Sequence, residues 1–90
     1  MQMDVKVYVL EWDNGEAYSD HYTEIKEVFS TRVGALRYLE SMGYTDERCE
    51  SYYQNGHCHR VAYHRPEDRG NPRILYDGES YSIHERVVQV

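Results

Sequence analysis

The densest group of chemically capable side chains is Cys49, His57, Cys58, His59 and His64, gathered around an Asn55-Gly56 dipeptide. Thiolate and imidazole donors suit zinc, which takes four ligands converging tetrahedrally at about 2.0–2.3 Å. The spacing argues against such a site. A two-residue turn at Asn55-Gly56 sets Tyr53 opposite Cys58, Tyr52 opposite His59 and Cys49 opposite Ala62. His57 and His59 then share one face of the ribbon while Cys58 points to the other. Cys49 stands four strand positions from Cys58, roughly 13 Å at about 3.3 Å per residue, too far for a disulfide or one metal ion. The same alternation separates Cys58 from its flanking histidines and removes a Cys–His nucleophile. With no phosphate loop, nucleophile elbow or paired-carboxylate motif present, the expectation is no metal, no cofactor and no enzyme.

Two further groupings carry charge. Arg60, His64, Arg65, Arg69 and Arg73, with Tyr63 and Tyr76 nearby, have the composition of an RNA or phosphate surface. Glu67 and Asp68 interrupt it, and arginine mixed with tyrosine is also the make-up of protein-interface hot spots. In the first half, Asp4, Glu11, Asp13, Glu16, Asp20, Glu24 and Glu27 form an acidic series that Lys6 and Lys26 dilute, so it reads as a solvated face before it reads as a nucleic-acid mimic. The net charge is −6, and residues 1–50 supply all of it, with eleven acids against five bases. That balance disfavours nucleic acid and anionic membrane and permits attraction to a basic protein surface.

Ten of the 90 residues are tyrosine and one is phenylalanine. Tyrosine buries its ring and keeps its hydroxyl wet, which predicts a thin core and several exposed rings. Tyr52, Tyr53, His59, Arg60 and Tyr63 crowd the second turn-tipped ribbon, only one face of which can pack inward. They are the expected protein-binding residues, with Asp20 in the first hairpin steering association. Met1 to Leu10 lacks the basic flank and apolar run of an export signal, and no run approaches membrane length. The two cysteines are therefore expected as reduced thiols in a cytoplasm.

These residues need elements to hold them. Ninety residues make one domain. Val5 to Trp12 is a strand apolar on both sides, which places it inside a sheet. Asp13-Asn14-Gly15 predicts a tight turn, and Glu16 to Lys26 a returning segment that frays or bulges before Val28 and Phe29 pair. Ser30 or Thr31 caps a helix ending at Gly43, with Val33, Leu36, Leu39 and Met42 as its packing stripe. Arg48–Gln54 and His57–His64 form a second hairpin. Residues 66–72 form a loop, and Asp77-Gly78 turns a third hairpin with Ile74 opposite Tyr81. The expected fold is α+β, β-β-α-β-β-β-β, with one helix on a mainly antiparallel sheet.

The opening Val-Tyr-Val-Leu, the block Glu-Val-Phe-Ser-Thr-Arg-Val-Gly-Ala-Leu-Arg-Tyr-Leu and the closing Tyr-Ser-Ile-His-Glu-Arg-Val-Val together resemble small phage and bacterial accessory proteins. In those, a strand ending in Val-Phe-Ser-Ser/Thr runs into a short helix. The resemblance covers about a third of the chain and contains no catalytic motif; Glu27 and Gly34 depart from it. It implies a small phage-encoded protein that binds and inhibits a host protein in the host cytoplasm, an anti-defence inhibitor of the anti-CRISPR type being the concrete form. The alternatives are an RNA- or nucleotide-binding module using residues 57–76 and a self-associating structural protein, a homodimer included.

Overall fold

The first strand, β1 (Asp4–Asp13), is paired with a strand along each edge, the interior position expected of it. A computed structural model describes residues 4–16, 18–50, 60–74 and 78–89, the side chains of Tyr18 and Glu50 excepted. The other elements are β2 (Thr23–Phe29), α1 (Arg32–Ser41), β3 (Asp46–Glu50), β4 (Arg60–His64) and β5 (Ser80–Gln89). The five strands form one antiparallel sheet in the order β2-β1-β5-β4-β3, and the fold is α+β as expected. Leu10, Leu39, Tyr44, Tyr63 and Tyr81 make the buried cluster between helix and sheet, with Trp12, Phe29, Leu36 and Ile83 packed around it.

The first connection is longer than a two-residue turn. β1 pairs with β2 from Tyr8↔Phe29 to Asp13↔Thr23, and the register shifts at Leu10/Glu11, leaving Lys26 as the extra residue of a bulge. Between Asp13 and Thr23 the chain forms an organised loop with a 3-10 turn (Tyr18–Asp20). Asn14 holds it together: its Oδ1 accepts from the Glu16 and Tyr22 amides, both at 3.1 Å, and its Nδ2 donates to the Asp20 carbonyl at 2.8 Å. A side chain of this kind substitutes for the backbone in a turn, so Asn14 supports a wide loop as readily as a tight one.

Helix α1 starts and stops where its residues predict. Thr31 Oγ1 accepts from the Gly34 amide at 3.0 Å. At the other end the Tyr44 amide donates to Leu39 O and the Gly43 amide to Glu40 O, with Gly43 at φ 86°. This double closure carries Tyr44 back beside Leu39 and seeds the core. The packed face differs from the expected stripe. Ala35 and Leu39 are buried, Leu36 and Met42 are half-buried, and Val33 is 56% exposed. Residues six apart are about 120° apart around a helix, so Val33 and Leu39 cannot share one contact.

The second half departs further. β3 and β4 pair as Arg48↔Ala62 and Cys49↔Val61, one residue off the expected Cys49↔Ala62. A one-residue slip exchanges the faces of every side chain. Cys49 is disulfide-bonded, so the reduced thiols expected from the 13 Å separation are corrected. That distance assumed the expected register, from which the observed pairing is shifted by one residue. Cys58 itself lies outside the described residues. The third hairpin is also corrected. Tyr81 pairs with Trp12 on one side and Tyr63 on the other, leaving no place for Ile74. Ile74 instead closes a turn, its amide donating to Asn71 O at 3.0 Å.

Candidate interaction surface

Alternation along the strands sorts their side chains into two faces. The face toward α1 carries Leu10, Trp12, Tyr63, Tyr81 and Ile83. The opposite face divides in two. Toward one end lie Ala62, His64, Ser80 and Ser82, all buried. Toward the other, Val5, Ile25, Val28 and Val88 are each between 41% and 55% exposed, around half-buried Val7 and Val9. Val9 pairs with Val28 and Val5 with Val88, so these side chains form one patch across β2, β1 and β5. Glu11 and His84, 3.3 Å apart, border it. Sequence reasoning noticed that β1 is apolar on both sides and placed it correctly inside the sheet. It placed one helix on one face of the sheet but did not draw the consequence that the other apolar side of β1 is left uncovered.

Of the residues expected to bind a partner, Tyr63, Arg60 and Asp20 are described. Tyr63 is 5% exposed and belongs to the core. Arg60 is half-buried, with a guanidinium nitrogen 3.7 Å from Asp13 Oδ2. Asp20 is exposed in the first loop, where its carbonyl holds Asn14. Tyr52, Tyr53 and His59 lie outside the described residues, as do His57, Cys58 and Tyr76. Of the five-residue Cys/His cluster, the described members are Cys49, in a disulfide, and His64, buried. Among the described residues no group of three or more His, Cys, Asp or Glu side chains is placed to hold a metal ion.

Three of the four arginines that suggested RNA, Arg60, Arg65 and Arg69, approach carboxylates, and so does Arg48. Arg65 Nε meets Asp68 at 2.9 Å, Arg48 meets Asp46 at 2.6 Å, and Arg69 approaches Asp46 at 3.9 Å. The Arg48 hydrogen bond, working against some desolvation, holds Asp46 below the usual carboxylate range. At Asp13, burial pushes the pKa up. Hydrogen bonds from His21 (2.9 Å) and the Gly15 amide (2.8 Å) and the His21 and Arg60 charges outweigh it, and the net shift is downward. Tyr44 moves the other way, because burial and a 2.9 Å hydrogen bond to Glu79 both disfavour its phenolate. These groups lock loops to the sheet.

No family model, curated protein or solved structure matches this chain. Among the described residues no helix is long and apolar enough to cross a membrane.

Proposed function

We propose that the chain works by binding another protein, without catalysis, through the aliphatic patch of Val5, Ile25, Val28 and Val88. The supporting observation is the exposure of four large aliphatic side chains on one sheet face, linked by half-buried Val7 and Val9. Single exposed apolar residues are ordinary, whereas contiguous ones mark contact surfaces. The occupant is a protein with a basic border around an apolar centre. On that face Glu11 borders the patch, and the chain carries a net charge of −6. A second copy would bring like charge to like, which a basic partner avoids. The carboxylate partners of Arg48, Arg60, Arg65 and Arg69 weigh against RNA as the ligand. The resemblance to phage and bacterial accessory proteins supports the narrower reading, inhibition of a host protein and of a bacterial defence complex in particular.

The test is capture from a bacterial host lysate by the wild-type chain and by an Ile25→Asp/Val28→Asp variant, with sedimentation of each alone. A protein captured by the wild type and lost by the variant, at unchanged melting temperature, is the expected result. Identical capture by both would refute the assignment. A wild-type dimer dissolved by the substitutions would replace it with self-association.

A further inference from the structure

On the helix side of the sheet, one cross-strand row runs from edge to edge: Glu24 (β2), Trp12 (β1), Tyr81 (β5), Tyr63 (β4) and Glu47 (β3). Three aromatic rings are thus bracketed by a carboxylate at each end. At the β2 end the bracket is filled from within the chain. Lys26 Nζ lies 2.7 Å from Glu24 Oε2 and 4.8 Å from the centre of the Trp12 ring. An ammonium group there gains an ion pair and the electron-rich ring face together, while its methylene stem lies along apolar surface.

At the β3 end the same elements surround an open cleft of about 210 Å³. Leu36, Leu39, Tyr44 and Tyr63 form its apolar wall, and Glu40 and Glu47 stand at its mouth. Both carboxylates are exposed, and among the described residues neither has an ion-pair partner. Glu40 sits in the last turn of α1, which holds no basic residue to offset the negative end of the helix dipole. The Tyr44 ring already attracts one cation, the Arg65 guanidinium, 5.5 Å from its centre. The two carboxylates and the helix terminus therefore favour a cation with an apolar stem. The chain has no lysine left to supply it: its two lysines are Lys26, at the other bracket, and Lys6, 3.7 Å from Glu85.

We infer that the cleft between the end of α1 and the β3–β4 pair receives a lysine side chain from another protein, as Glu24 and Trp12 receive Lys26. This site lies on the opposite side of the sheet from the aliphatic patch and does not depend on it. The test is titration with Nα-acetyl-lysine methylamide, followed by the methyl NMR shifts of Leu36 and Leu39. The norleucine and arginine amides serve as the neutral and guanidinium counterparts. The lysine amide should give saturable shifts that weaken roughly fivefold in a Glu40→Gln/Glu47→Gln variant, about what two exposed charge contacts supply. Both positions are exposed, so the variant keeps its fold, and the unchanged spectrum of Leu10 verifies this. Equal titrations by lysine and norleucine amides, an unweakened variant, or no shift at all would overturn the site. Tighter binding of the arginine amide would overturn the lysine assignment.

Discussion

Replacing Leu39 with Ala tests the packing of the helix most directly. Leu39 is 1% exposed and touches the cluster of Leu10, Tyr44, Tyr63 and Tyr81. Truncating a buried leucine costs about 2–5 kcal/mol, the spread reflecting how far the site can collapse or fill. Here Leu39 also lines the open cleft, so the space it vacates joins a volume that water and neighbouring side chains can enter. That favours the lower part of the range, about 2–3 kcal/mol. For a domain of this size each kcal/mol lowers the melting temperature by about 4–8 °C, giving a loss of roughly 8–24 °C. Val33→Ala is the control: the side chain is exposed, and alanine is the better helix former, so the change should stay within about 0.5 kcal/mol of neutral. Leu36→Ala should fall between the two. The assay is urea unfolding followed by Trp12 fluorescence and helical circular dichroism. Equal costs at Val33 and Leu39 would show that the helix packs by the i, i+3 stripe and that the assigned face is wrong.

Three other outcomes follow from named contacts. The depressed Asp13 carboxyl stabilises the fold above the ordinary value of 3.8 and loses that contribution as pH falls through its lower folded value. The stability gap between wild type and Asp13→Asn should therefore close in acid; a gap constant down to pH 2 would exclude the His21 and Arg60 contacts as its source. Gly15 has φ 76°, and a Cβ there would collide with the Gly78 carbonyl, whereas Gly43, at φ 86°, opens onto free space. Gly15→Ala should cost more than Gly43→Ala, about 2–4 kcal/mol against about 1, measured by thermal unfolding; the reverse order would remove the Gly15–Gly78 contact. For the Cys49 disulfide, a reductant should lower stability by about 2–3 kcal/mol if the partner is Cys58, the other cysteine of the chain. Mass spectrometry of the unreduced chain should then show an intramolecular bridge, and two free thiols would refute it.

The boundaries of α1 were legible because they depend on neighbours in sequence. Thr31 needs only the Gly34 amide three residues on, and Gly43 supplies by itself the positive φ that ends the helix. The strand character of β1, β2 and β5 was legible for the same reason, as was the irregularity that became the Lys26 bulge. Which helix face packs was not legible, because Val33 and Ala35 differ in burial through the position of the sheet, not through their own hydrophobicity. The tyrosines show this most clearly. Tyr63 has the composition of an interface residue, yet β5 places Tyr81 beside it and α1 closes over both, so it becomes core. The third hairpin failed on a similar ground: Asp77-Gly78 is a good local turn signal, but Tyr81 had already given both its edges to Trp12 and Tyr63. The aliphatic patch and the cleft between Glu40 and Glu47 join residues from three strands, or from the helix and two strands, and no periodicity records such a meeting. Local backbone chemistry acts over a few residues and leaves its mark in the sequence; strand order and register are settled by burial summed over the whole sheet.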